Sequence, residues 1–261
     1  LLARDAPASC SIVPLSGLTD GINVIELVGF DADDTLWHSE CYYRDAQDEF
    51  EQIIGRYVDL KQQSLHERLL AIERRNLKVF GYGAKAMTLS MIEAAVDFTN
   101  ARISAADIHR IVGIGKHVLS HPVKLLPGVR DAVEAVAARY KIVLITKGDL
   151  FHQERKVAQC GLADLFHRIE IVSEKDEAAY RRVLAEFDLA PGAFAMIGNS
   201  LRSDIAPVVG IGGWGIHIPY HLLWAHEADT DFAAGSPRVV EVKDASGIAA
   251  ALEQLDRRAA A

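Results

Sequence analysis

The sequence predicts an α/β fold: a largely parallel sheet wrapped by helices, with an all-helical insertion after the first strand. Three observations carry this. From about residue 122 onward, short apolar runs alternate with amphipathic helical stretches, the pattern of βαβ units. An earlier apolar run, Ile25-Glu26-Leu27-Val28-Gly29-Phe30, breaks off into Asp31, Asp33 and Asp34. Between these regions, residues 41–121 follow only a helical period.

The elements follow in order. Residues 1–21 hold Pro7, Pro14, Gly17 and Gly21 without a period and are expected to form an irregular lead-in. The first strand is expected over 24–31, since near-continuous apolar sequence suits a strand covered on both faces. In the insertion, Tyr43, Phe50, Ile53, Ile54 and Tyr57 share one helical face. Leu65, Leu69 and Ile72 share a second, and Met87, Met91, Ala94, Ala95 and Phe98 a third. Gly81 and Gly83 divide the region into two helix pairs, and Ser104 can cap a further helix, with Asp107 three residues on. Beyond Pro127-Gly128, a helix carrying Val129, Val133, Val136 and Tyr140 leads into a strand over 141–146. A helix over 151–159, stopped by Gly161, precedes a strand over 169–172. A helix bearing Tyr180, Val183, Leu184 and Phe187 comes next, then a strand over 194–197 and a short helix near 203–209. Strands over 214–218 and 239–242 and a helix with Ile248, Leu252 and Leu255 complete the chain. The sheet core is thus expected over 22–40 and 122–261, and a helical insertion over 41–121, which the resemblance described below implies is a cap.

Composition narrows the function. Half of the 261 residues are apolar and a quarter charged, as in ordinary globular proteins. A net charge of -8 argues against nucleic-acid binding, which needs a basic footprint. No segment has the ~18 consecutive apolar residues of a membrane span. Cys10, Cys41 and Cys160 are odd in number and lack a C-x-x-C pair, which fits a reducing compartment. The N-terminal region has no compact apolar stretch of signal-peptide type. A cytoplasmic setting is the expectation, and the oligomeric state stays open.

Ligands of open α/β sheets sit beyond the C-terminal strand ends. Asp31 and Asp33 fall there, on one side of an extended chain, because side chains alternate with period two. Two close carboxylates repel, so they call for a cation or a shared proton. Mg²⁺ suits them, being hard and oxygen-seeking.

Phe30-Asp31-Ala32-Asp33-Asp34-Thr35-Leu36 resembles the first motif, D-x-D-x-T-L, of the haloacid dehalogenase-like (HAD) hydrolases. Thr146, ending the run Ile142-Val143-Leu144-Ile145-Thr146, resembles the second. Lys175 in Val172-Ser173-Glu174-Lys175-Asp176 resembles the third, with Lys156 as a rival placed inside an expected helix. Ile197-Gly198-Asn199-Ser200-Leu201-Arg202-Ser203-Asp204 resembles the fourth. The four arrive in family order, each at an expected strand end, and the resemblance covers nearly all of 24–258. It implies a Rossmann-like HAD core with a C1-type helical cap. It further implies a Mg²⁺-dependent phosphohydrolase acting on a small phosphorylated metabolite through an aspartyl-phosphate.

In that reading Asp31 is the nucleophile and Asp33 the general acid and base. Thr146, Lys147 and Lys175 bind the phosphate, and Gly148 lets the backbone approach it. Asp31, Asp33 through its carbonyl, Asn199 and Asp204 hold the metal. The family commonly has an acid where Asn199 stands; an uncharged amide should weaken metal binding. Dehalogenases of the superfamily lack an acid at the second position, because a halide leaves without a proton, so Asp33 favours phosphoryl transfer. A 2-haloacid dehalogenase, a non-catalytic binding module and a phosphotransferase are the alternatives.

Lys85, in the loop Gly81-Tyr82-Gly83-Ala84-Lys85, is either a contact for an anionic substrate group or a solvated lysine. The pairs His117/His121 and His217/His221 have i,i+4 spacing but lack H-E-x-x-H chemistry and read as structural. Trp37, Trp214 and Trp224 read as packing residues of the core or the domain junction.

Overall fold

Strand β1 (Leu27–Phe30) is buried along its whole length and pairs in parallel on both sides. Its neighbours are β2 (Lys141–Lys147) and β4 (Phe194–Gly198). With β3 (Arg168–Val172), β5 (Trp214–His217) and β6 (Val239–Glu241) they form a six-stranded parallel sheet of order β3-β2-β1-β4-β5-β6. The direction of winding reverses between β1 and β4, so the crevice beyond their C-terminal ends is the place for a ligand. The computed structural model describes residues 24–59, 65–222, 224, 227, 232 and 235–261; the expected lead-in over 1–21 lies outside them.

Both faces of the sheet are covered. Val28, Phe30, Ile142 and Leu144 pack with residues of α5 (Val129–Ala137), α6 (Leu150–Cys160) and α9 (Ile248–Ala259). Leu27, Val143, Phe194 and Met196 pack with residues of α7 (Glu177–Glu186) and α8 (Ala206–Gly210). Gly29 is required at the centre: a Cβ there would lie 2.7 Å from the Phe194 ring and 2.8 Å from the Met196 sulfur.

Between β1 and α5 the chain forms α1 (Glu40–Ile54), α2 (Leu65–Phe80), α3 (Ala84–Phe98) and α4 (Ala105–Ser120). These share a separate apolar cluster that includes Phe50, Ile54, Leu69, Met87, Met91, Phe98 and Ile111. Each such side chain contributes about 1.5–3 kcal/mol when fully buried. Ser104 accepts from the Asp107 N–H and caps α4. The chain enters and leaves this bundle through two segments that pair with each other. His38 N–H donates to the Lys124 carbonyl (3.1 Å), Leu126 N–H to that of Leu36 (2.9 Å), and Trp37 bridges Leu125 in antiparallel sense.

Two expectations need correction. Strand β1 starts at Leu27 and stops before Asp31, so that acid lies just past the last paired residue. The short helix near 203–209 is instead a π-helical turn, Leu201–Ile205, followed by α8. A π turn widens the helix locally and often marks a functional position; here it carries Asp204.

Candidate active site

Four segments that are distant in sequence meet beyond the C-terminal ends of β1, β2 and β4. Asp31 follows β1, and its backbone N–H donates to the Ile197 carbonyl at 2.8 Å, which fixes it against β4. Lys175 follows β3, and its buried ammonium pairs with the Asp31 carboxylate and, at 2.7 Å, with Asp204 Oδ1. Asp204 Oδ2 accepts from the Ser200 backbone N–H at 2.9 Å. Gly198 makes this approach feasible, because a Cβ there would stand 2.2 Å from Asp204 Oδ2. Thr35 Oγ1 donates to Asp31 Oδ2 (2.8 Å), lies 3.3 Å from Asn199 Oδ1, and accepts from the Asn199 backbone N–H (3.0 Å).

Two buried carboxylates sharing one ammonium leave a net negative charge. Burial, reinforced by neighbouring Asp204, lifts the Asp31 carboxyl to about 7 against the opposing pull of Lys175. Burial opposes the charge on Lys175 too, but Asp204 and Asp31 together hold its ammonium well above the ordinary lysine range.

Asp33 points to a different set of partners. Its carboxylate accepts from Lys156 Nζ (2.6 and 2.7 Å), Gln153 Nε2 (3.0 Å) and Trp37 Nε1 (2.6 Å). Burial opposes its charge, yet Lys156 and the other donors outweigh it and hold the carboxyl below its ordinary range. Gln153 and Lys156 are three residues apart on α6 and so share a face. Asp149 caps that helix by accepting from the His152 N–H. Gln153 Nε2 also donates to Thr146 Oγ1 (2.7 Å), which places Thr146 beside Asp33. Asp34, the third acid, has φ +63° and accepts from the Ser39 and Glu40 backbone N–H groups, capping α1.

Lys147 commits its ammonium to Glu227 (2.5 Å) and Ser203 Oγ (2.9 Å) and lies over the Tyr82 ring. Lys85 pairs with Asp149 at 2.9 Å, so its charge is answered within the protein. His217 holds Glu241 and the Asn199 carbonyl, at 3.0 and 3.1 Å. His121 stacks on Tyr42 with His117 edge-on to it. Trp37 is 1% exposed, Trp214 stacks under Arg238, and Trp224 meets Tyr82 edge-on.

Of the residues expected at the site, the structure brings Asp31, Lys175, Asp204 and Asn199 into one cluster and sets Asp33 and Thr146 beside each other through Gln153, while Lys147 turns to Glu227. Gln153, Trp37 and Glu227 are not among the expected site residues. Lys156, the rival for the Lys175 position, pairs instead with Asp33. Among the described residues no three carboxylate, imidazole or thiolate side chains converge as a metal cluster. A divalent cation would therefore rely on two carboxylates with amide, carbonyl and water oxygens. That set fits Mg²⁺, which is commonly held by one or two carboxylates and keeps its waters.

The site opens into a cleft of about 1140 Å³ roofed by α1, α2 and α3. Fold and site together define a Rossmann-like α/β protein with a cluster of aspartates at the strand ends beneath a helical bundle. The chain belongs to the haloacid dehalogenase-like hydrolases: that family's model matches residues 25–211. A haloacid dehalogenase-like family hydrolase from Xanthomonas campestris is 58% identical, with a TM-score of 0.82 over 92% of this chain and 95% of its own. A 2-haloacid dehalogenase from Pseudomonas syringae shares the fold at 22% identity, TM-score 0.57, over 88% and 99% of the two chains. So does the Bacillus subtilis HAD-hydrolase YfnB, solved bound to magnesium and described as showing interdomain movement, at 14% identity, TM-score 0.60, over 87% and 98%. No curated protein matches the chain.

Proposed function

We propose that the protein is a Mg²⁺-dependent phosphohydrolase that cleaves a small phosphomonoester through an aspartyl-phosphate on Asp31. The observation that carries this is the separation of two acids by environment. Asp31 sits with Lys175 and Asp204, while Asp33, two residues on, is held apart by Lys156, Gln153 and Trp37. Two carboxylates in different surroundings suit two different roles.

In this reading an Asp31 oxygen attacks phosphorus and the ester P–O bond breaks, its electrons leaving with the alkoxide. Asp33 delivers a proton to that alkoxide and later takes one from the water that cleaves the Asp31–phosphorus link. Three donors hold Asp33 as a carboxylate, so its proton-carrying form requires Lys156 to let go. Thr146 and Lys175 hold the phosphoryl oxygens, with Lys147 behind them against Glu227. Asp31, Asp204, Asn199 and the Asp33 carbonyl would hold the metal. Mg²⁺ when bound would neutralise charge developing on the phosphoryl oxygens. The cysteine pattern supports a cytoplasmic setting.

Asp31→Asn is the deciding variant. We expect Mg²⁺-dependent release of nitrophenol from 4-nitrophenyl phosphate to be lost in the variant, and in the wild type on adding excess chelator, with an unchanged circular dichroism spectrum of the variant. Wild-type rates in the variant would remove Asp31 as nucleophile.

A further inference from the structure

The cleft has two halves of opposite electrostatic character. On the core side each of Lys147, Lys156 and Lys175 has an acid partner within 2.7 Å. The cap half presents acids and no base: among the residues lining it, Glu40 and Glu73 are the charged ones. Glu73 lies midway along α2, 8% exposed, in a wall that also includes Leu77, Met87 and Ser90. Among the described residues no hydrogen-bond donor or cation pairs with it. Its neighbours Asn76 and Ser90 are satisfied elsewhere: Asn76 Nδ2 donates to Ser90 Oγ (3.2 Å) and Glu93 Oε2 (2.7 Å), and Ser90 Oγ donates to the Ala86 carbonyl (2.9 Å).

An unpaired carboxyl buried in a wall costs stability, and burial alone lifts Glu73 to about 7. Glu40 stands close enough for the two acids to repel; burial first, then Asp34, lift its carboxyl to about 8 while Arg44 pulls the other way. Such a group gains most from a ligand that brings a positive charge.

We infer that the leaving group of the substrate carries an ammonium that meets Glu73 in the cap half of the cleft, and that leaving groups bearing a carboxylate are rejected there. This rests on the phosphohydrolase reading for the other end of the ligand. It also turns the cap against 2-haloacids, whose carboxylate would need a cation that this wall lacks.

Three phosphomonoesters of similar size test it: ethanolamine phosphate, ethyl phosphate and phosphoglycolate. Binding is measured by calorimetry with Mg²⁺ at pH 8, on Asp31→Asn to prevent turnover, and hydrolysis on the wild type. We expect the amine to bind about tenfold or more tightly than ethyl phosphate, and phosphoglycolate most weakly, the scale of one charge-assisted contact. Adding Glu73→Gln should bring the amine-to-ethyl ratio close to one. Equal affinities, a preference for phosphoglycolate, no binding at millimolar concentration, or a ratio that survives Glu73→Gln would each overturn the inference. The wild-type ranking stands without the variant, should Glu73→Gln fold poorly. Hydrolysis of all three without amine preference would sink this inference alone. The expected binding order without any hydrolysis would sink the phosphohydrolase reading instead.

Discussion

At the scale of single residues, Glu73 shows how a cleft can cost its protein stability. Burial raises its carboxyl from the ordinary 4.5 to about 7 in the folded chain. Between those two values the folded state keeps a proton that the unfolded state releases, so stability falls as pH rises through that window. Above about 7 the penalty is complete. Glu73→Gln cannot titrate and is free of it. We expect the variant to match the wild type near pH 4.5 and to exceed it by roughly 1–3 kcal/mol at pH 8, read as thermal melting against pH. A gain that does not depend on pH, or a loss at pH 8, would mean that Glu73 is paired in solution. The residue illustrates what one sequence conceals. Asp31 announced itself because an apolar run ended in acids, and Lys175 because it followed a strand at the expected place. Glu73 reads as one more acid on an amphipathic helix, and only the packing of α2 against α3 makes its surroundings apolar.

At the scale of elements, the site depends on how closely β4 and the turn after it can approach each other. Gly198 ends β4, and the π-helical turn folds Asp204 back over it. Gly198→Ala would place a methyl group 2.2 Å from Asp204 Oδ2 and 2.5 Å from its Cβ. We expect a loss of roughly 1–3 kcal/mol, with nitrophenyl phosphate turnover reduced far more than the shift in melting temperature accounts for. Unchanged turnover would show that Asp204 can move without consequence. The alternation of strands and helices was legible because the period of the sequence changes at each boundary, as at Thr146 and Gly161. The π turn was not: Leu201–Ile205 has the composition of an ordinary helix start, and its widening lies in the Ile205 N–H reaching the Ser200 carbonyl five residues back (3.3 Å). Nor did the face of α6 reveal its role. Gln153 and Lys156 reach Asp33 across more than a hundred residues of chain, a separation that spacing rules do not bridge.

For the whole molecule, the telling feature is where the bundle of α1–α4 joins the sheet. Its entry and exit segments are hydrogen-bonded to each other, and the entry segment carries Trp37, whose indole N–H donates to Asp33 at 2.6 Å. Trp37→Phe keeps most of the packing and removes that bond. We expect kcat on an alkyl phosphate, whose departing oxygen needs a proton, to fall about tenfold. On 4-nitrophenyl phosphate, which needs little help, the loss should be about threefold at most. Equal losses on both would assign Trp37 to stability alone. The insertion was legible as a block of helical period, but the pairing of its two ends was not, since Trp37 and Leu125 carry no strand pattern of their own. That junction is a strap fastened at one end to Asp33, the group to which the proposed mechanism gives the proton transfers. A ligand under α2 that shifted the bundle would shift Trp37 with it, and in the phosphohydrolase reading turnover would slow without any contact to Asp31.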